Sequence, residues 1–328
     1  MSSAAPGTPA EPDAKRSRDR DAPWARTAEA GTSIAIRIMR GLYRLLGRRL
    51  SSALMWPIAL YFTVVGREHR RAHRRYIEAL RSTPRGRDVG PPHFGSALAH
   101  VHAFAINLFD RMVAWGGGLD DIRFIHQGSE HLFRLAEEKR GAILIGSHLG
   151  SFDMMRLLAG RHGLVVNVLM FTKNAERITA FLHNLDPESR VRVIALDPSS
   201  MRTAFEIKQC LDRGEFVGIL GDRIWPADRA HRELLPFFGQ PAPFSLRPFL
   251  LAGVLGAPLL FAVCVRRGPS TYEAAVEVLH PGGQVPRAAR EARAREWLQG
   301  YVASLEHWCG EEPLQWFNFY DTWQVEDA

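Results

Sequence analysis

Apolar and polar positions alternate along the chain in a way that predicts helices and strands in turn. From residue 128 onward four helix–strand pairs are expected, at 128–140 with 141–147, 151–162 with 164–170, 174–184 with 191–195, and 200–213 with 215–220. A helix at 246–255 and a strand at 258–265 follow, and TYEAAVEVL then alternates with period two, as a half-exposed strand does. This order predicts an α/β fold with a mixed, largely parallel central sheet flanked by helices.

Two long helices are predicted on either side of this region. The first runs from about Phe94 to Trp115 and ends at three consecutive glycines. The second, at about 287–309, carries aromatic and leucine side chains on one stripe, which predicts packing in the core. The aromatic residues of the terminal stretch are also expected to close the core; they are Trp316, Phe317, Phe319, Tyr320 and Trp323.

Charge and composition divide the chain before residue 91. The first thirty residues are polar and lack the apolar segment of a secretory signal, so they are expected to be a disordered lead-in. Residues 31–90 hold 13 arginines against Glu68, Glu78 and Asp88, a local charge of +10 that exceeds the +7 of the whole chain. We therefore expect a lead-in at 1–30, a basic and apolar helical region at 31–90, and an α/β domain at 91–328.

An uncharged stretch, LSSALMWPIALYFTVVG, lies inside the basic region at 50–66. It is shorter than most membrane-spanning helices and contains Pro57. Two interpretations stay open: a helix lying on an anionic bilayer surface, where each nearby cation contributes roughly 1 kcal/mol, or a buried helix with a solvated arginine face. Binding to nucleic acid is not expected, because the basic residues accompany apolar ones rather than exposed stacking aromatics.

Several classes of site have no support in the sequence. The three cysteines, at 210, 264 and 309, are far apart and form no C-x-x-C pair, so neither a disulfide framework nor a zinc site is expected. His69 and His73 have the spacing of metal ligands, but they lie in the arginine-rich run EHRRAHRR, which does not indicate a metal site. The chain also has no phosphate-binding glycine motif and no G-x-S-x-G element. No metal and no permanently bound cofactor are therefore expected.

The stretch GAILIGSHLGSFDMMRLLAG, at 141–160, contains the most informative polar residues. His148 lies where a buried strand passes into a helix, which is the edge of an α/β sheet where reacting groups gather. Asp153, in the first turn of the helix, could hold the imidazole as a general base, and the backbone N–H groups of Gly150 and Ser151 could face an oxyanion. The alternative is structural: Asp153 favours the helix N-terminus and His148 ends the strand.

Three blocks of the chain carry a resemblance to a known family. They are SHLGSFD at 147–153, the segment 214–260 with its Gly-Asp-Arg and Phe-Phe-Gly elements, and PLQWFNFYDTW at 313–323. Together they resemble the glycerolipid acyltransferase superfamily, and in particular the bacterial lauroyl and myristoyl acyltransferases of lipid A biosynthesis. The resemblance runs from about Trp24 to Trp323. The chain departs from these relatives at two places: it has Leu246-Arg247-Pro248 in place of a Gly-Pro, and Asp153 in place of a Glu. These departures indicate an acceptor other than lipid A.

The resemblance implies transfer of a fatty acyl chain from acyl carrier protein or coenzyme A to a hydroxyl of a membrane lipid or glycolipid. It makes His148 the general base and Asp153 its partner, without a metal. It places Asp222 and Arg223 at the substrate, with the arginine on a phosphate; the alternative for Arg223 is a structural ion pair with Asp222 or a neighbour. It offers Phe237, Phe238 and Gly239 either as the lining of an acyl groove or as packing beneath a loop.

We accordingly expect a bacterial O-acyltransferase held at the cytoplasmic face of the inner membrane, peripherally or by a shallow anchor. Its partners would be the acyl carrier protein or coenzyme A, the lipid acceptor and the membrane surface. Two alternatives stay open: a thioesterase that uses the same base on water, and a non-catalytic lipid-binding module.

Overall fold

The computed structural model describes residues 50–115, 122–171, 193–196, 201–224 and 232–324, together with Gly41 and Leu45. Within this part of the chain the α-helices, in order, are α1 (Met55–Val65), α2 (Arg67–Arg81), α3 (Phe94–Trp115), α4 (Glu130–Glu137), α5 (Phe152–Arg161), α6 (Met201–Asp212), α7 (Arg247–Leu255) and α8 (Arg290–Glu311). Short 3₁₀ turns at Pro84–Gly86 and Arg287–Ala289 precede α3 and α8.

Nine strands accompany these helices in the described residues. They are β1 (Arg123–Gln127), β2 (Ile143–Gly146), β3 (Val166–Phe171), β4 (Val193–Leu196), β5 (Phe216–Leu220), β6 (Arg232–Phe237), β7 (Gln240–Ser245), β8 (Leu259–Gly268) and β9 (Thr271–His280). Seven of them form one sheet in the order β1-β9-β8-β2-β5-β3-β4, and β6 pairs with β7 in a separate antiparallel hairpin. In the large sheet the β8–β9 pair is antiparallel and the other pairs are parallel.

The predicted fold class is confirmed. The sheet is mixed and mostly parallel, helices flank it, and the predicted helices and strands agree with the observed bounds to within a few residues. The helix predicted at 174–184 lies outside the described residues. Two features were not predicted: the short strand β1, and the β6–β7 hairpin, which lies where a polar loop was expected.

Strand β2 shows how the sheet separates two apolar layers. Its side chains alternate, so that Ile143 and Ile145 belong to a core with α2, α7, α8 and the β6–β7 hairpin, whereas Leu144 belongs to a second core with α4 and α5. Since all four strand residues are buried, β2 lies at the centre of the fold. The residues that follow it are therefore held by rigid structure on both sides.

The basic N-terminal region packs against the rest through α1 and α2. The α2 side chains Tyr76, Ile77 and Leu80 belong to the first core, and Met55 of α1 packs on Ile106 and its neighbours in α3. Taken one at a time, the helices of the described residues are too short or too polar to cross a bilayer. Only the pair Leu50–Val65 and Arg67–Arg81, bent by 92°, meets that test by joint length and composition.

Candidate active site

His148 lies in the loop between β2 and α5, at the carboxyl edge of the sheet. The loop turns at Gly150, whose φ of +65° suits glycine and whose missing side chain lets the backbone approach the Cys264 carbonyl. Ser151 then ends the loop as the N-cap of α5, where its hydroxyl accepts the Met154 N–H at 3.3 Å. The small residues around His148 thus allow a tight and well-fixed turn.

Asp222 reaches the histidine because of the sheet register. Strands β2 and β5 are parallel neighbours, and Gly146 of β2 lies opposite Leu220 of β5. His148 and Asp222 each follow these residues by two positions, so both project from the same edge at the same level. Their separation of 74 residues in sequence is bridged by one strand pairing.

The Asp222 carboxylate is hydrogen-bonded to the histidine in two ways. Its Oδ1 lies 2.8 Å from His148 Nδ1, and its Oδ2 accepts the His148 backbone N–H at 2.9 Å. The carboxylate is fully buried, while 26% of the His148 side chain remains exposed. A carboxylate can only accept, so in this pair the ring carries its proton on Nδ1, and in the neutral ring Nε2 is then the basic nitrogen.

The charge of Asp222 is maintained by its surroundings. Burial acts to raise its pKa, but the nearby His148 ring and its hydrogen bonds, together with the Arg223 charge, outweigh burial and lower the pKa to about 2. A carboxylate that stays ionised at neutral pH can stabilise an imidazolium formed on His148. The pair therefore has the geometry and charge of a general base with its orienting acid.

Asp153 occupies a different environment from the one predicted. Its Oδ2 accepts a hydrogen bond from Arg111 of α3 at 2.8 Å, and Oδ1 lies 3.6 Å from Arg156 Nη2. Burial would raise its pKa, yet the two guanidinium groups lower it on balance. The prediction that Asp153 orients the His148 ring is wrong in this respect: the carboxylate on Nδ1 belongs to Asp222, because the sheet register brings a closer partner than the next helical turn does.

The predicted use of two backbone N–H groups is also wrong. The Gly150 N–H donates to the Gln315 carbonyl at 2.9 Å, and the Ser151 N–H donates to the Cys264 carbonyl at 2.7 Å. Both donors are thus engaged in holding the loop against its neighbours rather than directed at a substrate oxygen. The positive φ of Gly150, needed for the tight turn, brings the loop within bonding distance of strand β8.

Arg223 lies beside the pair and is held by the terminal segment. Its Nε donates to Asn318 Oδ1 at 3.1 Å, its Nη2 donates to the Phe317 carbonyl at 3.3 Å, and its guanidinium lies over the Tyr320 ring at 5.6 Å. The side chain is only partly buried. A cation fixed in this way next to His148 and Asp222 is suited to bind an anionic group.

The Phe-Phe-Gly element belongs to the core rather than to an exposed groove. Phe237 and Phe238 are 0% and 1% exposed, and Phe237 lies near the rings of Trp316 and Trp323. Gly239, at φ +75°, completes the turn between β6 and β7. Of the two predictions for these residues, packing beneath a loop fits the described structure, because the hairpin folds both rings inward.

Two further residues contact this site, and the sequence analysis did not predict a role for them there. Trp316 donates its indole N–H to Asp222 Oδ2 at 3.0 Å, and Asn107 of α3 donates to the Gly150 carbonyl at 2.6 Å. Buried polar side chains on an otherwise apolar helix, such as Asn107 and Arg111 one turn apart in α3, are a signal that could have indicated this contact. Trp316 was predicted as core packing, and it is buried.

Among the described residues, no three His, Cys, Asp or Glu side chains are grouped so as to hold a metal ion. The three cysteines are buried and unpaired thiols.

A histidine hydrogen-bonded to a buried carboxylate at the carboxyl edge of an α/β sheet is an arrangement that acid–base enzymes use. The family is given by comparison with known proteins: residues 102–325 match the model of the bacterial lipid A biosynthesis acyltransferases. The chain belongs to this family of acyltransferases, whose acceptors are lipids. A search of curated proteins gives no match.

Proposed function

We propose that this acyltransferase moves a fatty acyl chain from a thioester of acyl carrier protein or coenzyme A to a hydroxyl of a membrane lipid or glycolipid. The observation that carries the proposal is the 2.8 Å hydrogen bond between His148 Nδ1 and Asp222 Oδ1, with the ring partly exposed and the carboxylate buried. Family membership supports the acyl group and the lipid acceptor.

In the proposed reaction, Nε2 of His148 takes the proton of the acceptor hydroxyl as the oxygen attacks the thioester carbonyl. The carbonyl electrons move to the oxygen, and Asp222 stabilises the imidazolium on the other side of the ring. When the tetrahedral intermediate collapses, the C–S bond breaks and the sulfur takes the proton back from Nε2. The products are an acyl ester and a free thiol, and no covalent enzyme intermediate or metal takes part.

Arg223 is proposed as the contact for a phosphate of the donor or the acceptor. Its guanidinium is permanently charged and is anchored by Phe317 and Asn318, which leaves a fixed cation beside the reacting groups. Both the phosphopantetheine arm of a carrier and the head group of a glycolipid supply such an anion.

We also propose that α1 and α2 hold the enzyme on the cytoplasmic face of a bacterial inner membrane. Only Met55, Ala59 and Thr63 of α1 are buried, which is a narrow stripe facing α3. The other large apolar side chains of α1 are exposed; they are Trp56, Ile58, Leu60, Tyr61, Phe62, Val64 and Val65. Exposed arginines follow on α2, so an apolar face and a cationic face adjoin, as in helices at anionic bilayer surfaces.

Product analysis with purified protein tests the proposed reaction. A labelled acyl thioester and a hydroxyl lipid are supplied to the wild type, to His148→Ala and to His162→Ala, which alters an exposed histidine. We expect an acyl ester from the wild type and His162→Ala, and a loss of at least about 10²-fold with His148→Ala. Free fatty acid as the main product would instead indicate a thioesterase, and undiminished transfer by His148→Ala would contradict the mechanism.

A further inference from the structure

The terminal segment 315–318 lies against the loop that carries His148. The Gly150 N–H donates to the Gln315 carbonyl at 2.9 Å, and the Phe317 N–H donates to the His148 carbonyl at 2.9 Å. Between these bonds Leu149 and Trp316 form an antiparallel bridge. A segment more than 160 residues further along the chain is therefore paired directly with the loop of the proposed base.

Trp316 is held rigidly in this pairing. Its side chain is 1% exposed and has the rings of Tyr76 and Phe237 beside it, with centroids 4.9 Å and 5.3 Å away. Its backbone carbonyl accepts a hydrogen bond from His100 Nε2 at 2.9 Å. Contacts on both the backbone and the ring fix the direction in which the indole N–H points.

That N–H donates to Oδ2 of Asp222 at 3.0 Å, while Oδ1 of the same carboxylate faces His148 Nδ1. The two oxygens thus have different hydrogen-bond partners. Oδ2 receives the indole and the His148 backbone N–H, so rotation of the carboxylate is restricted and Oδ1 stays directed at the ring. The indole also shares the negative charge of Asp222, and this charge is what stabilises an imidazolium.

We infer that Trp316 is a positioning residue for acyl transfer, which orients the Asp222 carboxylate and thereby keeps the His148 ring in its Nδ1–H form. This inference rests on the proposed role of His148 as base. Trp316 does not touch substrate, and it acts through Asp222.

Two consequences follow if the indole N–H is removed while the aromatic volume is kept. The carboxylate can rotate, so part of the population loses the correct ring tautomer and the rate of the chemical step falls. Without the indole N–H, the negative charge of Asp222 is less shared and interacts more strongly with the His148 ring. The imidazolium is then favoured, and the acid limb of the pH–rate profile moves to higher pH. Binding of the thioester is unaffected in either case.

Trp316→Phe tests this, with Trp323→Phe as the matched control. Trp323 is also a buried tryptophan of the terminal segment, but its indole N–H donates to the Phe237 carbonyl at 3.2 Å rather than to Asp222. We expect kcat to fall on the order of tenfold in Trp316→Phe, with KM for the thioester unchanged within about twofold and a raised acid limb. Trp323→Phe is expected to lose stability without either kinetic change.

A second measurement keeps the test valid if Trp316→Phe folds poorly. Incorporation of 3-benzothienylalanine at position 316 preserves the shape of the indole and replaces only its N–H with sulfur. Nitrogen-15 spectra of labelled histidine then report the tautomer of His148 independently of turnover. We expect the Nδ1–H form in the wild type and in Trp323→Phe, and a mixture of tautomers when the indole N–H is absent.

The inference is overturned if the 316 variants keep the wild-type tautomer and the pH profile of Trp323→Phe. This result is distinct from failure of the proposed function, which would show as transfer activity retained in His148→Ala.

Discussion

At the scale of single residues, the central feature is the number of donors around one buried carboxylate. Asp222 accepts from the His148 ring, the His148 backbone and the Trp316 indole. Burial acts to raise its pKa, but the interactions with His148 and the charge of Arg223 lower it to about 2. Asp153 by contrast is paired with Arg111 at 2.8 Å and is partly exposed. The two carboxylates near the His148 loop therefore have different partners and different expected roles.

Replacing these two aspartates by asparagine separates their roles. In Asp222→Asn the amide no longer requires a proton on His148 Nδ1, so the tautomer with a proton on Nε2 is allowed and the base is lost. We expect kcat to fall by about 10³–10⁴-fold, the range known for carboxylates that orient a catalytic histidine. In Asp153→Asn the ion pair with Arg111 is lost, and we expect the fall in kcat to be at least about tenfold smaller than in Asp222→Asn. Initial rates, with circular dichroism to check folding, measure the difference, and an equal or larger loss in Asp153→Asn would contradict this assignment.

His148 could be predicted from the sequence, whereas its partner could not. A histidine at the end of an apolar strand is visible in the local pattern of GAILIGSH. The partner depends on which strand lies beside β2, and nothing in a single sequence states that β5 does so with Gly146 opposite Leu220. Asp153 was favoured because it is near His148 in sequence and matches the His-x4-Asp pattern of the resembled family, whereas Asp222 was expected only at the substrate. The register of the sheet places Asp222 within 2.8 Å of the His148 ring.

At the scale of elements, α2 and α3 meet through two buried histidines. The Nδ1 atoms of His73 and His100 are 3.0 Å apart, and His100 Nε2 donates to the Trp316 carbonyl. Since Nε2 of His100 holds the proton, its Nδ1 accepts from His73. Burial lowers the pKa of His73 to about 4, with a smaller contribution from His93, and burial and His73 together lower the pKa of His100 to about 3. Both rings are therefore neutral in the folded protein at pH 7.

This contact predicts a loss of stability in mild acid. In the unfolded chain both rings take up protons near pH 6.5, whereas in the folded protein they do so only near pH 3–4, so the unfolded state binds more protons in between. The stabilising effect is complete above pH 6.5 and is lost as the pH falls toward 4. As the pH falls from 6.5 to 5, protonation of each of these two histidines in the unfolded chain should lower the free energy of unfolding by about 2 kcal/mol.

Urea unfolding at pH 7 and pH 5 measures this effect. His73→Gln should reduce the difference between the two pH values by about 1–2 kcal/mol, and His162→Gln, at an exposed position, should leave it unchanged. Equal pH dependence in the wild type and His73→Gln would show that the buried pair does not titrate in this way.

The elements that were predicted well are those with long regular patterns. The helix at 94–115 was predicted with its observed bounds because its apolar period is uninterrupted. The β6–β7 hairpin was missed because Pro236, Pro241 and Pro243 argue against strands. A two-stranded hairpin tolerates them, since each strand has an open edge. Strand β1 is short and mostly exposed, which leaves little periodicity to detect.

At the scale of the whole molecule, the chain combines an α/β sheet with a helix, α1, whose large apolar side chains are mostly exposed. The alternation of elements predicted the fold class, but the strand order β1-β9-β8-β2-β5-β3-β4 depends on pairings that periodicity does not specify. The apolar side chains of α1 and the arginines of α2 lie on consecutive helices, within the stretch 55–81. The proposed membrane binding would use this stretch.

Vesicle binding tests that arrangement. The double variant Tyr61→Ser/Val65→Ser removes two side chains of α1 that are 62% and 60% exposed. Phe205→Ser/Val254→Ser removes two comparably exposed side chains outside α1 and serves as the control. With vesicles containing phosphatidylglycerol, we expect the first pair to weaken binding by at least about tenfold and the control pair to leave it unchanged. Equal weakening by both pairs would remove α1 as the contact.

The most direct test of the central claim is mass spectrometry of lipids from cells that contain the wild-type protein, His148→Ala, or neither. The claim is that His148, oriented by Asp222, activates a lipid hydroxyl for attack on a fatty thioester. It predicts a lipid ester with an additional fatty acyl chain in wild-type cells alone, and the mass gives both the acceptor and the chain length. The same ester at the same abundance in cells with His148→Ala would contradict it.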